Sequence, residues 1–142
     1  MEVVRLYLYF IGKPRDAHAN ALAAEYLKRT GRYARCEMAE IKPAKTDLWS
    51  RHAAAKKILL DPRGKIMDSA GFAGLMERAE HERRDMVFLV GGHDGPPAGW
   101  RDRADLLLSL SPLTLPHELA LVLLAEQIYR AFATLRGHPY PR

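Results

Sequence analysis

Met86-Val87-Phe88-Leu89-Val90-Gly91-Gly92-His93-Asp94-Gly95 joins an unbroken apolar run to a glycine-rich turn. A short continuous apolar run bounded by a turn is the pattern of a strand covered on both faces, as in a parallel sheet. Ligands of open α/β sheets bind in the crevice beyond the carboxyl ends of the strands. Residues 91–95 sit at such an end, and glycines there let backbone amides and carbonyls approach a ligand closely. The stretch is not Gly-x-Gly-x-x-Gly, and no Gly-Lys-Ser/Thr follows, so the dinucleotide and P-loop signatures are absent. The same residues also suit a tight turn after a strand.

Outward from this stretch the pattern alternates strand and helix, which predicts an α/β fold with a mainly parallel sheet. Upstream, Val4, Leu6, Leu8 and Phe10 alternate with Val3, Arg5, Tyr7 and Tyr9 as a first strand ending at Gly12-Lys13-Pro14. Asp16 to Arg29 is a helix with Asp16 as cap, Leu22 and Tyr26 on one face and Gly31 as stop signal. Arg35–Ile41 is a second strand, Asp47–Ala55 a short helix, and Lys57–Asp61 a third strand ended by the turn Pro62-Arg63-Gly64. Asp68–Arg83 carries Phe72, Leu75, Met76 and Ala79 at helical spacing. Downstream, Trp100–Ala104 is a helical turn and Leu106–Leu110 another strand. Thr114–Thr134 is a long helix with Thr114 as cap and Pro116 in the first turn. It is apolar nearly all round at its start, which calls for burial in the core or against a partner chain.

The chain has 142 residues, 48% of them hydrophobic, which suits one domain over 1–142 with a real core rather than a disordered chain. Twenty-two Lys+Arg against 17 Asp+Glu give a formal charge of +5, which favours polyanionic partners without proving one. The pairs Lys56-Lys57 and Arg83-Arg84 are expected on solvated faces. The single cysteine, Cys36, allows no internal disulfide and is expected to be structural in a reducing compartment. No targeting segment is expected, since Met1 to Phe10 is a strand. The longest apolar run, Leu119 to Ala125, falls far short of the roughly 20 residues that cross a bilayer. A soluble cytoplasmic protein is expected.

Two further stretches can carry chemistry. Ser109-Leu110-Ser111-Pro112-Leu113-Thr114-Leu115-Pro116-His117 mixes apolar and hydroxyl residues with two prolines ahead of a helix. The prolines stiffen the loop and remove two amide donors. Its remaining backbone groups suit an adenine or sulfonium pocket, and equally a well-capped loop before a core helix. The tail Arg136-Gly137-His138-Pro139-Tyr140-Pro141-Arg142 offers Tyr140 for stacking on a base and Arg142 for a phosphate, or simply frays. The six histidines are never three or four apart, and with one cysteine no zinc site is expected. No Gly-x-Ser-x-Gly nucleophile elbow occurs.

Taken in order, these residues resemble the RlmH family, the ribosomal RNA large-subunit methyltransferases H of the SPOUT superfamily. The likeness runs nearly end to end. It includes Gly12-Lys13, Glu25-Tyr26-Leu27-Lys28-Arg29, Leu60-Asp61-Pro62-Arg63-Gly64-Lys65, Asp68-Ser69 and Phe72-Ala73. It is most specific from Phe88 to Gly95 and from Leu108 to His117, and it continues in Ala125-Glu126-Gln127-Ile128-Tyr129-Arg130-Ala131 and His138-Pro139-Tyr140. The resemblance implies methylation of N3 of a pseudouridine in 23S ribosomal RNA on the assembled ribosome, by a homodimer using S-adenosylmethionine. It implies a SPOUT-type sheet flanked by helices, with a C-terminal trefoil knot. Sequence reasoning would not reach that knot, because chains almost never knot. Carried over by motif, cofactor contacts are Leu60, Gly91, Gly92, Ser111, Pro112, Leu113, Thr114, Leu115 and Pro116.

Two departures stand out. The family tail usually ends His-Pro-Tyr-His-Arg, and here Pro141 takes the place of the second histidine. The stretch between Asp47 and Lys57 is shorter than the family's, so a trimmed middle of the sheet is expected. For methyl transfer, Leu60, Leu113 and Leu115 suit an apolar wall beside a sulfonium. His117, His138 and Tyr140 are candidates to assist loss of the N3 proton, and Arg142 to hold a phosphate or a deprotonated base. The rival readings are a cofactor- or ribosome-binding protein without catalysis, a methyltransferase on another RNA site, and a flavodoxin-like nucleotide-binding regulator.

Overall fold

The computed structural model describes residues 4–140. Its strands are β1 (Arg5–Ile11), β2 (Arg35–Ile41), β3 (Lys56–Ile66), β4 (Met86–Val90) and β5 (Leu106–Ser109). Its helices are α1 (Ala17–Thr30), α2 (Leu48–Arg51), α3 (Ser69–Glu82), α4 (Trp100–Arg103) and α5 (His117–Leu135). The strands form one sheet in the order β2-β1-β4-β3-β5, and every pairing is parallel. The expected mainly parallel α/β architecture is what the chain adopts.

β4 lies in the middle, and all five of its residues are buried, as its unbroken apolar run required. Successive side chains leave a strand on opposite faces. Leu6, Leu8, Met86, Phe88 and Val90 therefore meet the three long helices α1, α3 and α5. Tyr9, Leu59, Val87 and Leu89 face the other way, where the short helices α2 and α4 cover them through Leu48 and Trp100, with Ala55 beside them. One sheet face is thus thickly covered and the other thinly. α5 packs between α1 and α3. Glu118 at its start accepts from the Arg15 and Asp16 amides (2.8 and 3.1 Å), and Ser69 of α3 donates to Gln127 (2.9 Å).

Several local expectations need correction. Thr114 does not cap α5. The helix begins at His117 with extended Pro116 in the cap position and no side-chain cap, because a residue preceding proline avoids the helical region and Leu115 precedes Pro116. The turn Pro62-Arg63-Gly64 does not end β3. Leu60 and Lys65 both pair with Leu108, so residues 61–64 bulge out and the strand resumes. A bulge leaves residues out of the ladder, which is where a proline without an N–H fits. Leu22 is 46% exposed, and Ala19, Ala23 and Leu27 form the buried stripe of α1 instead. Small alanines let α1 lie close to its neighbours. Lys57 is buried rather than solvated, its ammonium bonded to the His52 carbonyl. The short stretch after Asp47 falls in α2 and the turn that follows it, and β3 keeps its place in the sheet between β4 and β5. Cys36 packs against the core, and burial pushes its thiol up to about 12, which fits the structural role.

Candidate functional site

The carboxyl ends of β3, β4 and β5 surround a cavity of about 300 Å³. Its walls come mainly from three segments far apart in sequence, the β3 bulge, the glycine turn after β4 and the loop leading from β5 into α5, with Arg101 of α4 added beside them. This is the crevice expected of a parallel sheet.

The glycine turn folds back on itself. Gly95 donates its amide to the Gly92 carbonyl (3.0 Å). A Cβ on Gly91 would lie 2.9 Å from the Gly95 carbonyl carbon and the Pro96 nitrogen, and one on Gly92 would lie 3.1 Å from the Ile11 carbonyl oxygen. Backbone crowding demands glycine at 91 and makes position 92 tight, so the tight-turn and ligand-wall readings hold together. The β5–α5 loop is fixed by two hydroxyls. Ser109 donates to the Ser111 carbonyl (3.0 Å), and the Leu113 amide donates to the Ser111 hydroxyl (2.9 Å). That turn lifts Leu113 to the cavity wall with its side chain 75% exposed. So large an exposed apolar surface beside a cavity is a surface that a ligand would cover.

Of the residues expected to hold a cofactor, Leu60, Gly91, Gly92, Ser111, Leu113 and Leu115 line the cavity. Pro112, Thr114 and Pro116 belong to the same loop but do not line it. His117 lines it at the first turn of α5. His138 and Tyr140 do not. Tyr140 packs on Tyr129 (ring centroids 4.7 Å) and donates its hydroxyl to Glu126 (2.8 Å). Glu126 also receives Arg130 (2.6 Å) and Gln127 (2.9 Å). At ~1.5 Å rise per residue, Glu126 stands roughly 13 Å along α5 from His117. Burial, with hydrogen bonds to Tyr26 and Glu126, pushes the Tyr140 phenol well up, away from service as a base at neutral pH. Pro141 and Arg142 lie outside the described residues.

Sequence reasoning gave no role to Asp61 and Arg101, which share the cavity wall. The Asp61 side chain is 1% exposed and paired with the Arg101 guanidinium. Burial alone pushes its carboxyl up, but donation from the Arg63 amide (2.9 Å) and from Arg101 outweighs this and holds it below the usual carboxylate range. An acid at the end of an apolar strand before Pro-Arg-Gly was the available signal. Its burial is made by the bulge, which the sequence pattern does not announce.

A family model described as predicted SPOUT methyltransferase matches residues 4–141. A protein of Solibacter usitatus named Ribosomal RNA large subunit methyltransferase H is 63% identical over 98% of this chain and 100% of its own length. The chain belongs to the RlmH family of SPOUT methyltransferases. A Thermus thermophilus RlmH of the same name is 41% identical over 98% of this chain and 99% of its own. Among solved structures, a probable methylase family protein from Haemophilus influenzae superposes with a TM-score of 0.62 at 11% identity, covering 98% of this chain and 70% of that one. The SpoU methyltransferase AviRb from Streptomyces viridochromogenes, in complex with AdoMet, superposes with a TM-score of 0.53 at 14% identity, covering 90% and 60%. At such identities the structures speak for the fold alone. As an RlmH-family member the protein is a methyltransferase, and the expected SPOUT-type α/β architecture stands. Among the described residues no helix is long and apolar enough to cross a membrane, and no group of His, Cys, Asp and Glu could hold a metal ion.

Proposed function

We propose that this protein transfers a methyl group from S-adenosylmethionine to N3 of a pseudouridine in 23S ribosomal RNA, on the assembled ribosome. It does so as a cytoplasmic homodimer whose single domain spans 1–142. One observation carries the reading: the motifs of a three-segment signature, around Leu60, Gly91-Gly92 and Ser111–Leu115, converge on one cavity.

The donor set suits this cofactor. Leu60, Val90, Leu108, Leu110, Leu113 and Leu115 give apolar walls, and the one carboxylate there, Asp61, is already paired. Among the described residues no lysine lines the cavity, and the Gly95 amide is committed within its turn, so the glycine loop offers no phosphate cradle of its own. A volume of about 300 Å³ lies at the small end of ligand sites, which run from about 300 to 1,000 Å³. When bound, S-adenosylmethionine supplies an activated methyl group whose sulfonium charge is neutralised on transfer. The chain's own work is positioning. Leu60, Leu113 and Leu115 give the sulfonium an apolar wall, and the nearby Asp61 carboxylate is already engaged by Arg101. Ser111 and the glycine turn fix the walls. His117, which lines the cavity, accepts the N3 proton in this reading.

His138, Tyr140 and Arg142 belong to this reading through the dimer. Tyr140 is docked on Tyr129 and Glu126, far along α5 from the cavity of its own chain, so the cavity this group serves is that of a second copy. Leu119 and Leu123, 49% and 42% exposed and one turn apart on α5, support a face that a second copy covers. The trefoil knot is part of the same reading. It is supported by β5 lying outside β3 while the chain returns to lay α5 between α1 and α3.

A thermal-shift comparison tests the cofactor. S-adenosylmethionine or S-adenosylhomocysteine at about 100 times Kd adds about 2.7 kcal/mol of stability. That is roughly 5–10 °C for a chain of this size. Stabilisation by a flavin or nucleoside phosphate instead would overturn the assignment.

A further inference from the structure

The thinly covered sheet face carries an arrangement that the methyl-transfer reading has not used. α2 and α4 are helices of four residues each, and both end in arginine: Arg51 on α2, Arg101 and Arg103 on α4. All three are exposed. Side chains two apart on a helix point in different directions. Arg101 accordingly reaches the cavity wall and Asp61, while Arg103 lies over the Trp49 ring, its Cζ 4.7 Å from the centroid. Trp49 in turn meets the buried Trp100 edge to face (centroids 6.2 Å). Trp100 thus anchors an indole, and the indole supports a guanidinium.

Both arginines are held without being used up. Arg101 gives Asp61 its Nε, and Arg103 gives Trp49 only its face. Among the described residues, no hydrogen bond or ion pair claims the terminal nitrogens of either. A guanidinium fixed in this way has already lost much of its rotamer freedom, so binding an anion costs less. The nearby acids do not cancel the patch. Asp47 accepts from the Trp49 and Ser50 amides and the Ser50 hydroxyl, Asp105 is bonded to the Lys57 amide, and only Asp102 stands free on α4 itself.

We infer that Arg51, Arg101 and Arg103, with Trp49 as platform, form a track for the sugar-phosphate backbone of the substrate RNA, leading to the cavity mouth. This rests on the RNA-methyltransferase reading above. Planar guanidiniums with free N–H forks match phosphate oxygens. The track ends at Arg101, which already lines the cavity, so a strand gripped along it delivers its neighbouring nucleotide there.

The test is Arg103→Gln, with Arg29→Gln as a charge control on α1, across the sheet. Binding is measured by fluorescence anisotropy to a labelled RNA hairpin with a single-stranded loop, and by co-sedimentation to purified ribosomes. S-adenosylmethionine binding is followed by calorimetry. Arg103→Gln should weaken RNA about fivefold to tenfold and lower the slope of log K against log salt by about one. Cofactor affinity should stay within twofold of wild type, and Arg29→Gln should change neither. Trp49→Ala should reproduce the RNA defect, and Trp49→Phe, which keeps a ring, should recover most of it. Equal RNA affinity for Arg103→Gln and wild type overturns the track. Weakened ribosome binding with unchanged hairpin binding assigns the patch to a ribosomal protein and overturns it too. Failure of wild type to bind the cofactor or to methylate any RNA counts against the functional reading instead, since hairpin binding is read without turnover.

Discussion

Gly64→Ala should open the seam between β3 and β5 and blunt the cavity. A Cβ at position 64 would lie 2.5 Å from the Leu107 carbonyl carbon, 2.6 Å from its oxygen and 2.7 Å from the Leu108 nitrogen. Carbon atoms rest at about 3.5–4.0 Å, so the segments must part by roughly 1 Å. All three obstacles are backbone, and no rotamer change relieves them. Overpacking of this kind costs about 1–3 kcal/mol. The Lys65–Leu108 register sits beside the clash, and a weakened ladder hydrogen bond adds about 1 kcal/mol. A total near 3 kcal/mol lowers Tm by roughly 6–12 °C. Leu108 and Ser109 line the cavity, so S-adenosylmethionine affinity should fall as well. The matched control is Gly74→Ala in α3, where a Cβ meets nothing within 4 Å. There the helix gains about 0.5–1 kcal/mol. Chemical denaturation and calorimetry on both variants give the answer. A Gly64→Ala protein as stable as wild type, with undiminished cofactor affinity, would refute the close approach and the link from seam to cavity.

Asp61→Asn should cost about 1.5 kcal/mol at pH 7, the worth of a charge-assisted hydrogen bond. Its proton affinity is lowered in the fold, so its contribution is present above the ordinary carboxylate value of ~3.9 and lost as pH falls through the lower folded value. Wild type should therefore lose stability more steeply than the variant in acid denaturation below about pH 4. Thr114→Ala should change stability by less than about 0.5 kcal/mol in urea titration, because Thr114 caps nothing. Tyr140→Phe should lose about 1 kcal/mol in chemical denaturation with the Glu126 hydrogen bond.

The strands that obey simple rules were legible. β2 and β4 run over the residues their patterns predict, Arg35–Ile41 and Met86–Val90, because alternation and continuous apolarity report burial on one face and on two. The Asp16 cap was legible as well, since its carboxylate accepts the His18 and Ala19 amides; Asp68, read as the first residue of its helix, caps it instead through the Gly71 amide. What pattern could not carry was geometry made by distant chain. Pro62-Arg63-Gly64 has turn chemistry, and it does turn, but β5 offers Leu108 to both Leu60 and Lys65 and the strand resumes. Local propensity likewise places a cap at Thr114, whereas Pro116 moves the start to His117. Six of the nine residues expected at the cofactor line the cavity, and Pro112, Thr114 and Pro116 lie in the same loop without lining it. Asp61 and Arg101 were invisible as a pair, because forty positions of chain separate them and only the bulge joins them.

The most direct test of the account is transfer of labelled methyl from S-adenosylmethionine to purified ribosomes that lack the modification, with the RNA digested to nucleosides and weighed. The account predicts label in 23S RNA as N3-methylpseudouridine, reduced when Leu113 is replaced by Glu in the cavity wall. Cofactor bound at the cavity with no methylated nucleoside formed, or label on a different base, would contradict it.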